Sequence, residues 1–187
     1  YAAWPTWEGR RVKPVLAALV DAYRRHLAMV FAGRIEDLVD SRASARRART
    51  NAQASLERLR AEPRRKASAE LKLAGSLLAN ASRLIRATVL LEALLRDGAS
   101  LPHRDSLDAF AAEADRVLSM IVAALREDRA LDAPLLRPYE RRLAAALDDS
   151  DDPVAITLAD ACDRIADSID TLAHLLRPTD RKRAMRA

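Results

Sequence analysis

The chain has 187 residues, of which only 4 are glycine and 32 are lysine or arginine, and its formal net charge is +5. Alanine and arginine favour helices and residues that favour strands are sparse, so the composition predicts an all-α protein. A single cysteine, Cys162, excludes an internal disulfide, so nothing in the sequence suggests an oxidising compartment, and a reducing cytosol fits.

The chain opens with an aromatic cluster that is followed at once by cations. The aromatic residues are Tyr1, Trp4 and Trp7, and the cations are Arg10, Arg11 and Lys13. Such a cluster is typical of a chain leaving a bilayer, because indole rings partition to the headgroup layer and Lys and Arg stay on the cytoplasmic side. An equally open alternative is that the indoles pack the first helix onto its own domain. On the first interpretation, residues 1–5 are a membrane-proximal segment.

The first residue is Tyr, and no secretory leader precedes the apolar pattern, so we expect a longer parent protein upstream. No uncharged apolar run within the chain approaches the ~18 residues of a spanning helix, which predicts a soluble body. Residues 1–66 carry a net charge of +8 and residues 67–187 a net charge of −3. The basic part therefore adjoins the aromatic start, which suits a surface of anionic lipid and equally suits nucleic acid.

Apolar residues recur at helical spacing almost throughout, and glycines and prolines divide the pattern into six helices. The first three are predicted at residues 6–32, 34–62 and 67–97, ending at Gly33, Pro63 and Gly98. The fourth helix is predicted to be capped by Asp105 or Ser106. The short fifth helix is predicted to end near Leu147. The sixth helix is predicted to have Asp152 as its cap and Pro153 at its first position. Four long helices predict an elongated antiparallel bundle over residues 6–178, with a basic tail at 179–187.

The second helix is unusual because arginine occupies its predicted buried seam. The seam consists of Ile35, Leu38, Arg42, Ala45, Arg49, Ala52, Leu56 and Leu59. Its cluster of cations, Arg42, Arg46, Arg47 and Arg49, must reach water, a carboxylate or an anionic partner. The favoured interpretation is a solvated, partly ion-paired face. A polyanion or nucleic-acid surface, or an interface with another subunit or the membrane, is the alternative, although the cluster lacks aromatic residues for base stacking.

The sixth helix carries a stripe of carboxylates that ends in a histidine: Asp160, Asp163, Asp167, Asp170 and His174. Asp167, Asp170 and His174 are weak candidates for a divalent-metal site. One helix supplies too few ligands, so a solvated or arginine-paired acidic face is favoured and no cofactor is expected. His26 is predicted to be a hydrogen-bonded core or interface histidine, and Cys162 a small buried residue.

The sequence contains no phosphate-binding glycine loop, paired-cysteine motif or serine elbow, which favours a role other than catalysis. Four stretches together resemble the cytosolic portion of the FUSC family, the fusaric-acid-resistance and aromatic-acid-exporter type of bacterial inner-membrane proteins. They are WPTWEGRR (4–11), ARRARTNAQASLERLRAEP (45–63), LLANASRLIRATVLLEALL (77–95) and LADACDRIADSIDTLAHLL (158–176). The second of these is the most specific.

The resemblance implies a helical cytoplasmic domain below the last of a set of membrane helices, in a protein that exports small and often aromatic acids. We expect such a domain to assemble or regulate the membrane part, at the cytoplasmic face of the inner membrane. Its implied partners are its own upstream membrane region, anionic lipid and a second copy of the chain. Two alternatives stay open: a polyanion-binding helical protein, based on the arginines of the second helix, and a metal-binding regulatory bundle of the phosphate-signalling PhoU type, based on the aspartate stripe.

Overall fold

The computed structural model describes residues 8–61, 67–97, 100–148 and 151–178, with side chains from Val12 onward in the first helix and from Glu70 onward in the third. These ranges form six α-helices and no strand, which confirms the all-α prediction. The helices are α1 (Glu8–Phe31), α2 (Leu38–Ala61), α3 (Ala67–Arg96), α4 (Arg104–Glu127), α5 (Arg137–Leu147) and α6 (Pro153–Leu175). Five of them have 23 to 30 residues, one more than predicted, because α4 is as long as α1.

Local signals set several of the helix ends. At the end of α1, Gly33 has φ +67 and donates to the carbonyl of Val30, while Arg34 N donates to the carbonyl of Met29. This pair of hydrogen bonds is a Schellman motif, which requires the left-handed conformation that glycine adopts at little cost. At the start of α6, Asp152 accepts from Val154 N at 3.0 Å, and Pro153 occupies the first position, as predicted.

Two predicted features of the helix starts are wrong. α4 begins at Arg104 after His103, so Asp105 and Ser106 lie inside its first turn and do not cap it. Ile35 belongs to a separate 3₁₀ turn and is 48% exposed, because α2 begins only at Leu38. The buried side of α2 therefore consists of Leu38 and of small and apolar residues further along the helix: Ala45, Ala52, Ser55, Leu56 and Leu59.

α1 packs against α2, α3 and α4. It runs antiparallel to α4, since Arg24 Nη1, in the second half of α1, lies 2.7 Å from Asp115 Oδ1 at the middle of α4, and Arg104 Nη2 donates to the carbonyl of Phe31 at 2.9 Å. α3 packs along α6, and the short α5 covers α4 and α6. The result is an elongated bundle, in which the 30 residues of α3 extend for roughly 45 Å at 1.5 Å per residue.

The core is continuous through the bundle and consists mainly of Leu, Ile, Val and Ala. Its largest members include Tyr23 and Phe110, and the rings of Phe31 and Phe110 meet edge to face with centroids 5.9 Å apart. Cys162 is fully buried in this core, as predicted. Burial raises the pKa of its thiol, and the nearby charge of Glu140 raises it further, so the thiol is protonated and unreactive in the folded protein.

Candidate functional site

The two ends of the bundle differ in charge. We call the end at which α1 and α3 begin the entry pole. α4 and α6 end there, because Lys13 pairs with Asp128 and Leu131 N donates to the carbonyl of Leu176 at 2.9 Å. In the sequence, Arg64, Arg65 and Lys66 come after α2, and Arg181, Lys182 and Arg183 come after α6. These six residues lie outside the described part of the chain.

The opposite end, which we call the far pole, is where α1 ends and α2, α4 and α6 begin. Exposed carboxylates lie close to those helix ends: Glu36, Asp97, Asp105, Asp151 and Asp152. Arg34, Arg96 and Arg104 are also exposed at this end, and Glu127, Asp128 and Asp132 are exposed at the entry pole. Both ends therefore carry mixed charge, and the excess of carboxylates near the starts of α2, α4 and α6 is a difference of degree. An elongated body with this distribution has a preferred orientation in front of an anionic surface.

The predicted membrane-proximal residues lie only partly within the described part of the chain. Trp4 and Trp7 lie outside it, as do the side chains of Arg10 and Arg11, whose backbone belongs to α1. Lys13 is described, and it is half-buried and ion-paired with Asp128. Its charge is therefore compensated within the bundle.

The four arginines predicted as an interface or anion-facing cluster do not converge on one point. Arg42 pairs with Glu92 of α3, whereas Arg46 and Arg47 are exposed and make no ion pair with any other described residue. Arg49 is exposed and close enough to Tyr23 to oppose the effect of burial, which raises the pKa of that phenol. This combination matches the prediction of a solvated and partly ion-paired face.

A buried carboxylate lies where α1, α2 and α3 meet. Glu92 is 0% exposed, and its two oxygens lie 2.5 Å from Arg42 Nη2 and 3.0 Å from Arg96 Nη2. Both arginines extend from this carboxylate to solvent, since their side chains are 33% and 45% exposed. The negative charge inside the bundle is therefore neutralised by cations that stay hydrated, which avoids the full cost of burying an ion pair.

His26 completes this buried cluster, and its environment confirms the prediction of a hydrogen-bonded core histidine. Its Nδ1 lies 2.9 Å from Ser41 Oγ and its Nε2 lies 3.6 Å from Glu92 Oε2. Burial lowers the pKa of His26, and the charge of Arg42 lowers it further, while the charge of Glu92 opposes both effects. Sequence reasoning missed Glu92, since one glutamate in a leucine-rich helix carries no local sign of being buried.

The aspartate stripe of α6 is used within the protein. Asp170 accepts from Leu136 N at 2.7 Å and from Arg137 N at 3.2 Å, so it caps the start of α5 from a neighbouring helix. Asp163 and Asp167 face the guanidinium of Arg137, with Asp167 Oδ1 at 3.8 Å from Nη2. The favoured prediction of an arginine-paired acidic face is confirmed for Asp163 and Asp167, whereas Asp170 binds backbone amides instead.

The metal candidates of the stripe do not form a cluster. His174 is exposed in the last turn of α6, one turn beyond Asp170. Across the described ranges, no three His, Cys, Asp or Glu side chains are grouped closely enough to hold a metal ion.

A cleft of about 530 Å³ lies between α3 and α6. Four arginines line it, two from α3, one from the start of α5 and one from α6: Arg83, Arg86, Arg137 and Arg164. Its other lining residues are Ala87, Leu90, Asp163, Asp167 and Ser168. Sequence reasoning did not single out Arg83 or Arg86, because arginine is an ordinary surface residue of a helix and only the packing of α6 makes a concave site beside them.

None of the helices in the described ranges has both the length and the apolar character that crossing a bilayer requires. Comparison of the chain with protein-family models, with curated proteins and with solved structures finds no match.

Proposed function

We propose that this chain is the helical cytoplasmic domain of a FUSC-type inner-membrane transporter, and that its entry pole faces the anionic cytoplasmic leaflet. In this role the domain assembles or regulates the membrane part, which exports small acids. The domain itself performs no chemistry and moves no substrate.

The observation that carries the proposal is the order of basic and acidic segments in the sequence relative to the helix ends. In the sequence, Arg64, Arg65 and Lys66 come after α2, a helix that ends at the entry pole, while Asp151 and Asp152 come before α6, a helix that begins at the far pole. A basic side chain close to an anionic leaflet contributes roughly 1 kcal/mol of attraction. Several such side chains at one end are sufficient to orient a bundle with its long axis away from the membrane.

The resemblance of the sequence supports the same orientation. The segment WPTWEGRR leads directly into α1, whose backbone begins at the entry pole. Indole rings and arginines at this point are what the interface between a membrane helix and a cytoplasmic domain requires. The aromatic start and the basic connections therefore favour the same end of the molecule.

Binding to lipid vesicles tests the proposal. Co-sedimentation of the 187-residue chain is compared for vesicles of phosphatidylcholine alone and with added phosphatidylserine, at low and high salt. We expect binding only to the anionic vesicles, and we expect R64E/R65E/K66E to weaken it by at least about tenfold, since three attractive charges are reversed. The matched variant R46E/R47E/R49E makes the same change in net charge at exposed positions of α2, and it should retain binding to the anionic vesicles.

The outcomes separate the proposal from its alternatives. Equal binding to both kinds of vesicle, or equal weakening by the two variants, would contradict the orientation. If the chain binds a DNA duplex at low salt, and only R46E/R47E/R49E abolishes this binding, the result would instead support a polyanion surface on α2.

The parent coding sequence gives an independent test of the membrane assignment. We expect about 20 consecutive apolar residues shortly before Tyr1, the length of one membrane helix. A polar upstream sequence would contradict it.

A homo-oligomer stays a prediction, and sedimentation equilibrium of the chain over a range of concentrations measures it.

A further inference from the structure

The cleft between α3 and α6 has two arginines, Arg83 and Arg86, on its α3 wall, and two carboxylates, Asp163 and Asp167, on its α6 wall. Arg83 and Arg86 are exposed, and within the described ranges neither side chain makes an ion pair or a hydrogen bond. They are three residues apart on one helix, so they occupy the same face, where like charges repel. An anion between the two guanidinium groups would relieve this repulsion.

The opposite wall of the cleft is already compensated. Arg137 pairs with Asp163 and lies 3.1 Å from Glu140, and Arg164 lies 2.9 Å from Asp160. The two carboxylates of the cleft, Asp163 and Asp167, face Arg137, and neither lies within ion-pair distance of Arg83 or Arg86. The attraction for a ligand is therefore concentrated at Arg83 and Arg86.

The lining between the walls is apolar. Ala87 is buried and Leu90 is half-buried, and both follow Arg86 on the same helix. A ligand held at its acidic end by the two arginines would place an adjoining hydrocarbon part over these side chains. A cleft volume of about 530 Å³ lies within the range of roughly 300 to 1,000 Å³ that is usual for small-molecule sites.

We propose that the α3–α6 cleft binds a small amphipathic anion, with Arg83 and Arg86 holding its oxyanion group and with Ala87 and Leu90 contacting its hydrocarbon part. The planar fork of a guanidinium presents parallel N–H donors that match both carboxylate and phosphoryl oxygens. Carboxylate and phosphoryl ligands of this kind share one chemistry, an oxyanion group joined to an apolar body. The site does not depend on membrane docking, so it stands or falls separately from the proposed function.

Probes with one hydrocarbon body and different head groups test this site. Isothermal titration calorimetry is performed on the 187-residue chain with hexanoate, hexyl phosphate, hexylammonium and acetate. We expect binding of hexanoate, of hexyl phosphate or of both, none of hexylammonium, and weaker binding of acetate, which lacks the apolar body. The tighter of the two anions identifies the head group as a carboxylate or a phosphoryl group.

Two double variants locate the site. R83A/R86A should weaken anion binding about tenfold or more, the effect of losing at least one charge-assisted hydrogen bond. R46A/R47A removes the same charge from exposed positions of α2 and should leave the affinity unchanged, while R83K/R86K, which keeps the charge and loses the fork, should give an intermediate loss.

The proposal is overturned if neither anion binds more tightly than a Kd of about 1 mM. It is equally overturned if hexylammonium binds as well as the anions do, or if R83A/R86A and R46A/R47A reduce the affinity equally. Circular dichroism of each variant confirms that the helices are intact, which we expect because all four arginines are exposed.

Discussion

Arg42 Nη2 lies 2.5 Å from Glu92 Oε2, and this ion pair joins α2 to a carboxylate that is completely buried in α3. Arg96, from the same helix as Glu92, approaches the other oxygen at 3.0 Å. Without these cations the bundle would contain an uncompensated negative charge. The free energy of unfolding should therefore respond to Arg42 far more than to the other arginines of α2.

We expect R42A to lower the free energy of unfolding by about 2 kcal/mol, less than the 3–5 kcal/mol typical of breaking a buried pair, because Arg96 remains and Arg42 is partly hydrated. R46A, at an exposed position with no ion pair, should change it by less than about 0.5 kcal/mol. Urea unfolding of both variants measures the difference. Equal effects would show that Glu92 does not depend on Arg42.

His26 should make the stability depend on pH near neutrality. Burial lowers its folded-state pKa below the unfolded value of 6.5, so the unfolded chain binds the proton more readily. The contribution of His26 to the free energy of unfolding is therefore complete above pH 6.5. It is lost progressively as the pH falls from 6.5 toward the folded-state pKa, with a slope of at most about 1.4 kcal/mol per pH unit.

Urea midpoints measured across this range test the assignment to His26. H26N has no titrating ring and should flatten the dependence, while its amide can still reach Ser41 Oγ. E92Q removes the attraction that favours the charged imidazole, so in that variant the loss should extend to lower pH. A slope that survives in H26N would assign the effect to another group.

Asp170 should stabilise the start of α5 through its two hydrogen bonds to Leu136 N and Arg137 N. D170A leaves both amides without an acceptor and should cost about 1–2 kcal/mol, the usual effect of losing a helix cap. D160A removes an exposed ion pair with Arg164 and should cost well under 1 kcal/mol. Hydrogen exchange in α5 should accelerate only in D170A, and similar exchange in both variants would contradict the capping role.

Gly33 and Gly75 offer a matched pair of substitutions, because a methyl group added at either position meets no atom within 4 Å. G33A forces alanine into φ +67 and should destabilise the protein by about 1–2 kcal/mol. G75A lies inside α3, where alanine is the better helix former, and should stabilise it by about 0.5–1 kcal/mol. Thermal unfolding of both variants gives the sign of each change in unfolding temperature. Two changes in the same direction would contradict the roles assigned to Gly33 and Gly75.

The sequence was most informative where a residue acts on its own backbone. Gly33 ends α1 and Asp152 with Pro153 starts α6, as predicted, because a turn glycine and a capping aspartate work through atoms one to three positions away. The apolar repeats predicted six helices and the burial of Cys162 for the same reason, since a helix face is defined by nearby residues.

Features that need two helices could not be predicted in the same way. Glu92 is acceptable in the core only because α2 places Arg42 beside it, and Asp170 caps α5 only because the loop before Arg137 folds back onto α6. The cationic cleft likewise exists because α6 packs beside Arg83 and Arg86. Periodicity within one segment contains no information about which neighbour it meets.

The contacts between α1 and α4 have a mechanical consequence. Lys13 with Asp128, Arg24 with Asp115 and Arg104 with the carbonyl of Phe31 occur near the two ends and the middle of the pair. Sliding one helix by a single turn, about 5.4 Å, would break all three at once. A rearrangement of this protein that keeps these three contacts therefore leaves the register of α1 against α4 unchanged and alters only how the other helices pack on this pair.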